Sequence, residues 1–283
     1  MNERALVLYH GNCPDGFTAA WAVWRAISEA EYREVNYGTE PPLADAAGRR
    51  VIIVDFSYPR AQLNELAKVA ARVEIYDHHK TAEEDLRGWA DEAPETLRVM
   101  FDMKRSGAGI TWDEFHTNRQ RSSLVDYVQD RDLWNWKLPM SREVSEYLFS
   151  WPRTFDIWND LHHVLESNFS EVVTAGSALL RAKRARVAKV CENVRWLTLG
   201  GIKIPVVNAA WDMSEIGEYL NERFPDAPVG GYYFDRADLR QWGFRSAHGF
   251  DCGALCRQYG GGGHQAAAGF MSAIGWLPDD GAR

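Results

Sequence analysis

Cysteine is scarce in this chain of 283 residues, with four in all. Cys13, Cys191, Cys252 and Cys256 form no paired CxxC arrangement, so a structural zinc site of that kind is excluded. Cys252 and Cys256 share a helical spacing and read as small buried hydrophobes. No apolar run approaches the ~20 residues that span a bilayer, so no membrane partner is expected. The opening Met1-Asn2-Glu3-Arg4 leads straight into a strand-like run and has no long apolar signal region, which points to a cytoplasmic protein. Basic charge is not in excess either: the formal net charge is −8. Binding to long duplex nucleic acid rests on a basic surface, so it is not expected, and a small phosphorylated substrate in a local positive pocket suits the balance better. There is no internal repeat, no low-complexity segment, no GxxxxGK[ST] phosphate loop and no GxSxG nucleophile elbow.

What is present is ordinary globular material, 46% apolar and 25% charged, long enough for two domains. Strand-like runs at 5–9, 51–54, 73–76 and 97–101 alternate with helical stretches at 16–27 and 60–71. Continuous apolar strands between amphipathic helices predict an α/β fold, a mostly parallel sheet covered on both faces. Residues 140–168 read as helical and Trp-rich, with a surface pair at His162-His163. A proline-free stretch from Ser170 to Glu192, with basic residues at 181–186 on a solvated face, reads as one long connecting helix. A smaller α/β unit follows, with strands at 202–208, 229–234 and 239–245, a helix near 214–224, and a loose tail from Met271. The expected division is 1–168, a connecting helix over 169–193, and 194–275.

Ligands of parallel sheets sit beyond the carboxyl ends of the strands. His10 follows the first strand, Asp55 the second, and Asp77-His78-His79 the third. The loop His10-Gly11-Asn12-Cys13-Pro14-Asp15-Gly16 adds a thiol and a carboxylate, and Asp130-Arg131-Asp132 adds two more acids. Each alone reads as a turn or cap residue. A bare carboxylate ending an apolar strand is costly to bury without a partner. Two or three carboxylates and two histidines on one rim point to a two-metal centre.

In order and spacing these motifs resemble the DHH phosphoesterases with their C-terminal associated domain. The resemblance covers nearly the whole chain: the HxxCxDG loop, Asp55, Asp77-His78-His79, a later aspartate, and Gly260-Gly261-Gly262-Gly263-His264. It implies two divalent metal ions, Mn2+ by preference. Asp55 would bridge them, with His10 on one and Asp15, His78 and Asp130 on the other. Asp132 is the competing ligand, ranked behind Asp130. Asp77 would orient a histidine, and His79 would face the substrate phosphate, so that Asp55, Asp77 and His79 form the catalytic set. Arg245, Gly261, Gly262, Gly263 and His264 would bind substrate, the glycines by aiming N–H groups at an anion and Arg245 by gripping phosphate across a cleft. Many relatives carry D-x-D in the first loop, and here Cys13 takes the first of those positions. Either its thiolate is a ligand, which would shift preference towards zinc or iron, or it packs beneath the loop. Trp134 and Trp136 could stack a base or simply fill core.

The resemblance further implies a metal-bridged hydroxide attacking phosphorus in line. The leading expectation is a phosphodiesterase or exonuclease on short oligonucleotides or dinucleotides. The alternatives are a phosphomonoesterase on a bisphosphorylated nucleotide or polyphosphate and, in another class, a catalytically degenerate nucleotide-binding module. Oligomeric state stays open, a homodimer included.

Overall fold

The protein is described here by a computed structural model covering residues 4–92, 95–246 and 249–278. The extreme N-terminus and the final five residues, both read above from sequence, lie outside the described residues. The chain divides into two compact units, Met1–Leu180 and Arg181–Arg283.

The first unit is a doubly wound α/β domain. Its five strands are β1 (Leu6–His10), β2 (Glu31–Val35), β3 (Arg50–Val54), β4 (Arg72–Asp77) and β5 (Leu97–Phe101). They run in the order β2-β1-β3-β4-β5 and are all parallel. Alternate residues of each strand serve opposite faces. Val7, Ile52, Val54 and Tyr76 pack beneath α1 (Pro14–Trp24) and the helices that follow β5, while Leu6, Leu8, Val51, Ile53, Val73 and Ile75 pack on the other face with Leu63 and Leu66. Two-sided burial explains the apolar runs of β1 and β3, and of β4 but for Glu74. The edge strand β2, Glu-Tyr-Arg-Glu-Val, carries charges instead, which is why no apolar run announces it.

On the second face lie α2 (Leu43–Ala46), α3 (Arg60–Val69) and α4 (Lys80–Asp85). The helices after β5 are α5 (Gly107–Phe115), α6 (Ser123–Asp132), α7 (Ser141–Phe149), α8 (Phe155–Ser167) and α9 (Phe169–Val190). The division between the units falls within α9. In the expected surface pair, His163 is exposed, but His162 is half-buried with Nδ1 2.8 Å from Ser122 Oγ.

Unit two holds a mixed sheet of β6 (Arg195–Leu199), β7 (Ile202–Asn208), β8 (Gly230–Arg236), β9 (Leu239–Arg245), β10 (Gly262–Gly263) and β11 (Ala267–Ala273), ordered β10-β11-β9-β8-β7-β6. Its helices are α10 (Met213–Arg223) and α11 (Cys252–Arg257). Cys252 and Cys256 are buried in its core, as their spacing suggests. The expected loose tail from Met271 is corrected: Met271, Ser272 and Ala273 pair antiparallel with Gln241, Arg240 and Leu239. Trp276 then packs against Trp242 and Phe270, so aromatic burial holds this end down. Among the described residues no helix is long and apolar enough to cross a membrane.

Candidate metal centre

In the order β2-β1-β3-β4-β5 the chain reverses direction of winding between β1 and β3, and the ends of those strands form the crevice where such sheets bind ligands. His10 ends β1, Asp55 directly follows β3, and Asp77 ends β4 with His78 and His79 beyond it. Asp15 lies in the first turn of α1, whose Pro14 opens the helix with the φ it requires. Two close approaches depend on glycine. A Cβ at Gly16 would lie 2.5 Å from the His10 carbonyl oxygen, and one at Gly107 would lie 2.5 Å from Asp55 Cβ. Asp55 itself has φ of 54°, a left-handed conformation unusual outside glycine and typical of functional strain.

These residues converge. His78 Nε2 lies 3.2 Å from Asp55 Oδ1, 3.5 Å from Asp132 Oδ2 and 3.9 Å from Asp15 Oδ2, and His10 Nδ1 lies 3.5 Å from Asp55 Oδ2. Three overlapping ligand groups result, each with its donor atoms within 4.8 Å of one another: His10, Cys13 and Asp55; Asp55, His78 and His79; and Asp15, His78 and Asp132. Asp55 belongs to two of them and His78 to two.

Asp130, expected as a ligand, is in none of these candidate groups. Its carboxylate accepts hydrogen bonds from the Lys137 and Leu138 backbone N–H groups at 3.0 and 3.2 Å and from the Ser141 hydroxyl at 2.5 Å. It closes the turn between α6 and α7, and it is Asp132 that falls in a candidate ligand group, with Asp15 and His78. The signal was present in helical spacing. Asp132 follows the buried Leu124 and Val128 at intervals of four, on the face that α6 turns inward.

Buried carboxylates elsewhere in the same sheet are compensated. Glu74, 2% exposed, takes a bidentate pair of hydrogen bonds from Arg50 and a third from the Tyr76 hydroxyl. Burial pushes its pKa up, but those bonds and the charges of Arg50 and Arg72 bring it below the ordinary value. Asp15 and Asp55, each 1% exposed, have no Lys or Arg ion pair among the described residues. Asp15 Oδ2 and both Asp55 oxygens are buried without a well-formed hydrogen bond, as is His10 Nδ1. Burial, then the charges of Asp55 and Asp132, push the Asp15 carboxyl well above its usual range. For Asp55, burial is outweighed by contacts with His10 and His78 and by the charge of His79, and its pKa falls. Burial would lower the His78 pKa, yet Asp55, Asp15 and Asp132 raise it to about 10. Nitrogen and oxygen donors aimed at one another across 3–4 Å, with no Lys or Arg among the described residues to pair the buried acids, fit divalent metal ions.

Two neighbours complete the centre. Asp77, fully buried, accepts from His79 Nδ1 at 2.6 Å and from the His78 backbone N–H at 2.7 Å. The contact puts the His79 proton on Nδ1 and makes Nε2 the basic nitrogen. Cys13 occupies the N-cap position of α1, with no side-chain capping bond, beside Asp55; burial, followed by the charges of Asp55, Asp132 and Asp15, raises its thiol pKa well above normal. Trp134 and Trp136 contact each other edge-on at 4.9 Å. Arg131 and Arg142 lie over their rings, Arg142 at 4.2 Å from the Trp136 centroid, a cation–π arrangement that serves packing.

In unit two, Arg245 ends β9 in register with Ala267. Its guanidinium reaches the Ser214 hydroxyl at 3.3 and 3.4 Å and the Phe244 carbonyl at 2.9 Å. The glycine segment is not an open nest of N–H groups. Gly260, Gly261 and His264 donate their N–H groups to the Arg257, Cys256 and Ala267 carbonyls. Gly262 and Gly263 form β10 against β11. Glycine is needed at 261 because a Cβ there would lie 2.2 Å from the Gly269 carbonyl oxygen, whereas one at Gly262 would meet nothing within 4 Å.

No protein-family model matches the chain. It is 28% identical, over 303 aligned positions, to the uncharacterized protein R106 of Acanthamoeba polyphaga mimivirus, covering 96% of this chain and 69% of that one. The structure is similar to that of RecJ from Thermus thermophilus in complex with Mn2+, with a TM-score of 0.53 at 16% identity over 94% of this chain and 49% of that one. An exopolyphosphatase-related protein from Bacteroides fragilis gives a TM-score of 0.53 at 11% identity, covering 98% and 88% of the two chains. The pGpG-specific phosphodiesterase PggH of Vibrio cholerae gives 0.50 at 14% identity, covering 96% and 94%. The α/β architecture of this chain, five parallel strands with a second mixed sheet, is thus like that of the set at the level of fold. The chain shares the fold of these proteins, in keeping with the resemblance read from its motifs.

Proposed function

We propose that this protein is a metal-dependent phosphoesterase hydrolysing phosphodiester bonds in short oligonucleotides or dinucleotides. The observation that supports it most directly is the pair Asp15 and Asp55, buried with no Lys or Arg partner among the described residues and surrounded by imidazoles. The expectation of two Mn2+ ions is part of this reading. His10, Cys13, Asp15, Asp55, His78 and Asp132 would hold the cations, Asp55 belonging to two of the three candidate groups.

Divalent cations held there supply charge neutralisation at phosphorus and acidify water for attack. The chain's own residues do the rest. Asp77 fixes the His79 ring so that its Nε2 can hold or pass a proton at a phosphate oxygen. The left-handed backbone at Asp55, packed on Gly107, keeps that carboxylate in one orientation. Arg245 and His264 are assigned recognition of substrate phosphate, the guanidinium offering two parallel donors. A dinucleotide substrate is in keeping with the pGpG specificity named for PggH, which shares the fold.

The test is a product-resolved hydrolysis panel with Mn2+: a dinucleotide, longer RNA, single-stranded DNA, a cyclic dinucleotide, adenosine 3′,5′-bisphosphate and polyphosphate. Dinucleotide cleavage is expected, and Asp55→Ala is expected to abolish it with the fold intact by circular dichroism. Turnover unchanged in Asp55→Ala would remove Asp55 from the mechanism, and cleavage of polyphosphate alone would replace the phosphodiesterase reading with the phosphomonoesterase one.

A further inference from the structure

A pocket of about 260 Å³ opens next to the centre, lined by Tyr9, His10, Cys13, Phe17, Glu34 and Arg153 among others. His10 and Cys13 also belong to a candidate ligand group with Asp55, so pocket and centre share a wall. The pocket's own chemistry is not used by the reaction proposed above. Arg153 is exposed and, among the described residues, makes no hydrogen bond or ion pair. Glu34, on the same pocket, does not pair with it.

The backbone carrying Arg153 is held firmly. Thr154 caps α8, its hydroxyl accepting from Ile157 N–H at 3.3 Å. The next residue, Phe155, stacks on Phe17 at 5.2 Å, and Phe17 is itself part of the pocket wall. A cation without a protein partner among the described residues is thus presented from a fixed stretch of backbone. On the opposite strand, Glu34 bends over the first turn: a Cβ at Gly11 would lie 2.5 Å from its Cγ and Oε1.

We infer that this pocket is a subsite for a nucleoside phosphate and that Arg153 determines specificity by binding a terminal phosphate monoester one sugar away from the reacting phosphodiester. The inference rests on the phosphodiesterase reading for the position of the reacting phosphate. Arg153 supplies the charge-assisted donors such a group needs. Glu34 accepts hydrogen bonds from ribose hydroxyls or base N–H groups, and Asn12 adds a further polar group to the same wall. The same carboxylate repels a bare polyphosphate, which offers only acceptors. A lone arginine beside a carboxylate therefore selects a nucleotide carrying one further phosphate, not an inorganic chain.

The experiment compares pApA with ApA, using adenosine 3′,5′-bisphosphate and tripolyphosphate as further arms. Dissociation constants are measured by calorimetry on the full chain in EDTA, and initial rates in Mn2+. Wild type is expected to bind pApA about ten-fold or more tightly than ApA. Arg153→Ala should erase that difference by weakening pApA alone, and Arg153→Lys should keep part of it. Glu34→Gln should tighten tripolyphosphate. Equal binding of pApA and ApA by wild type overturns the subsite, as does an Arg153→Ala variant that weakens both or neither. If the bisphosphate alone shows the dependence on Arg153, the subsite takes a mononucleotide and the dinucleotide assignment falls. The two readings separate cleanly: an Arg153-dependent preference in binding without hydrolysis of any substrate retains the subsite and sinks the enzyme, while hydrolysis indifferent to Arg153 does the reverse.

Discussion

Asp77 Oδ1 lies 2.6 Å from His79 Nδ1, and Asp77 is itself fully buried. The pair sits at the end of β4, where the strand can no longer supply a partner for the carboxylate. Burial would lower the His79 pKa, but the hydrogen bond and charge of Asp77 raise it. The aspartate thus governs both the orientation and the basicity of a ring in the centre.

Asp77→Asn should therefore act through His79. Partners of this kind typically change metal affinity or activity by about 10–100-fold. We expect a loss of that order in kcat/KM, with the pH–rate profile displaced to lower pH because the histidine loses its anionic neighbour. A variant with an unshifted profile would limit Asp77 to a packing role.

The two aspartates of α6 should separate in thermal-shift measurements. Asp130→Ala removes the acceptor of three hydrogen bonds and leaves buried donors unmet, at a cost of about 1–3 kcal/mol per group left unsatisfied. It should lower Tm with and without metal and leave the Mn2+-induced rise in Tm largely in place. Asp132→Ala should change the metal-free Tm little and cut the Mn2+-induced rise, since a ligand stabilises only as far as it binds the native state. The opposite pattern would restore Asp130 to the ligand set.

How much of this was legible in the chain depended on what each residue is bound to. β1 and β3 were readable because burial on two faces forces unbroken apolar runs, β4 and β5 because only Glu74 and Arg98 interrupt theirs, and the chain positions of His10, Asp55 and His78 followed from where those runs end. Edge strands β2 and β6 escaped because their exposed sides tolerate Glu, Arg and Trp. Asp130 and Asp132 differ by a rotation of about 200° on the helix; their shared identity hid the difference, and only the four-residue spacing of Asp132 from Leu124 and Val128 marked it. The glycines at 260–263 read as a phosphate nest, yet Gly261 is required by the close passage of β11, a long-range contact with no local signature.

Cys13 provides a test of metal preference. Its side chain shares a ligand group with His10 and Asp55, and a thiolate favours softer cations than a carboxylate does. Cys13→Asp should raise affinity for Mn2+ relative to Zn2+, and Cys13→Ser should weaken Zn2+ more than Mn2+. Competition titrations followed by the metal-induced rise in Tm report both. A Zn2+/Mn2+ ratio identical in all three proteins would confine the thiol to packing beneath the loop.

Glu74 offers a pH signature remote in chemistry from the centre. Its folded pKa lies below the ordinary 4.5, because Arg50, Tyr76 and Arg72 outweigh the effect of burial. The sign follows by linkage: the unfolded chain binds the proton first, so the carboxylate's contribution is fully present above about pH 4.5 and is lost as pH falls through the lower, folded value. Glu74→Gln should thus destabilise at pH 7 by about 1–3 kcal/mol, since one amide cannot replace both acceptors, while Arg50 and Arg72 remain partly exposed and keep access to water. Urea denaturation at pH 7 and again near pH 3.5 should show the gap between wild type and variant narrowing on acidification. A gap that stays constant over that range would mean that Glu74 stabilises through shape and hydrogen bonding alone, with no contribution from its charge.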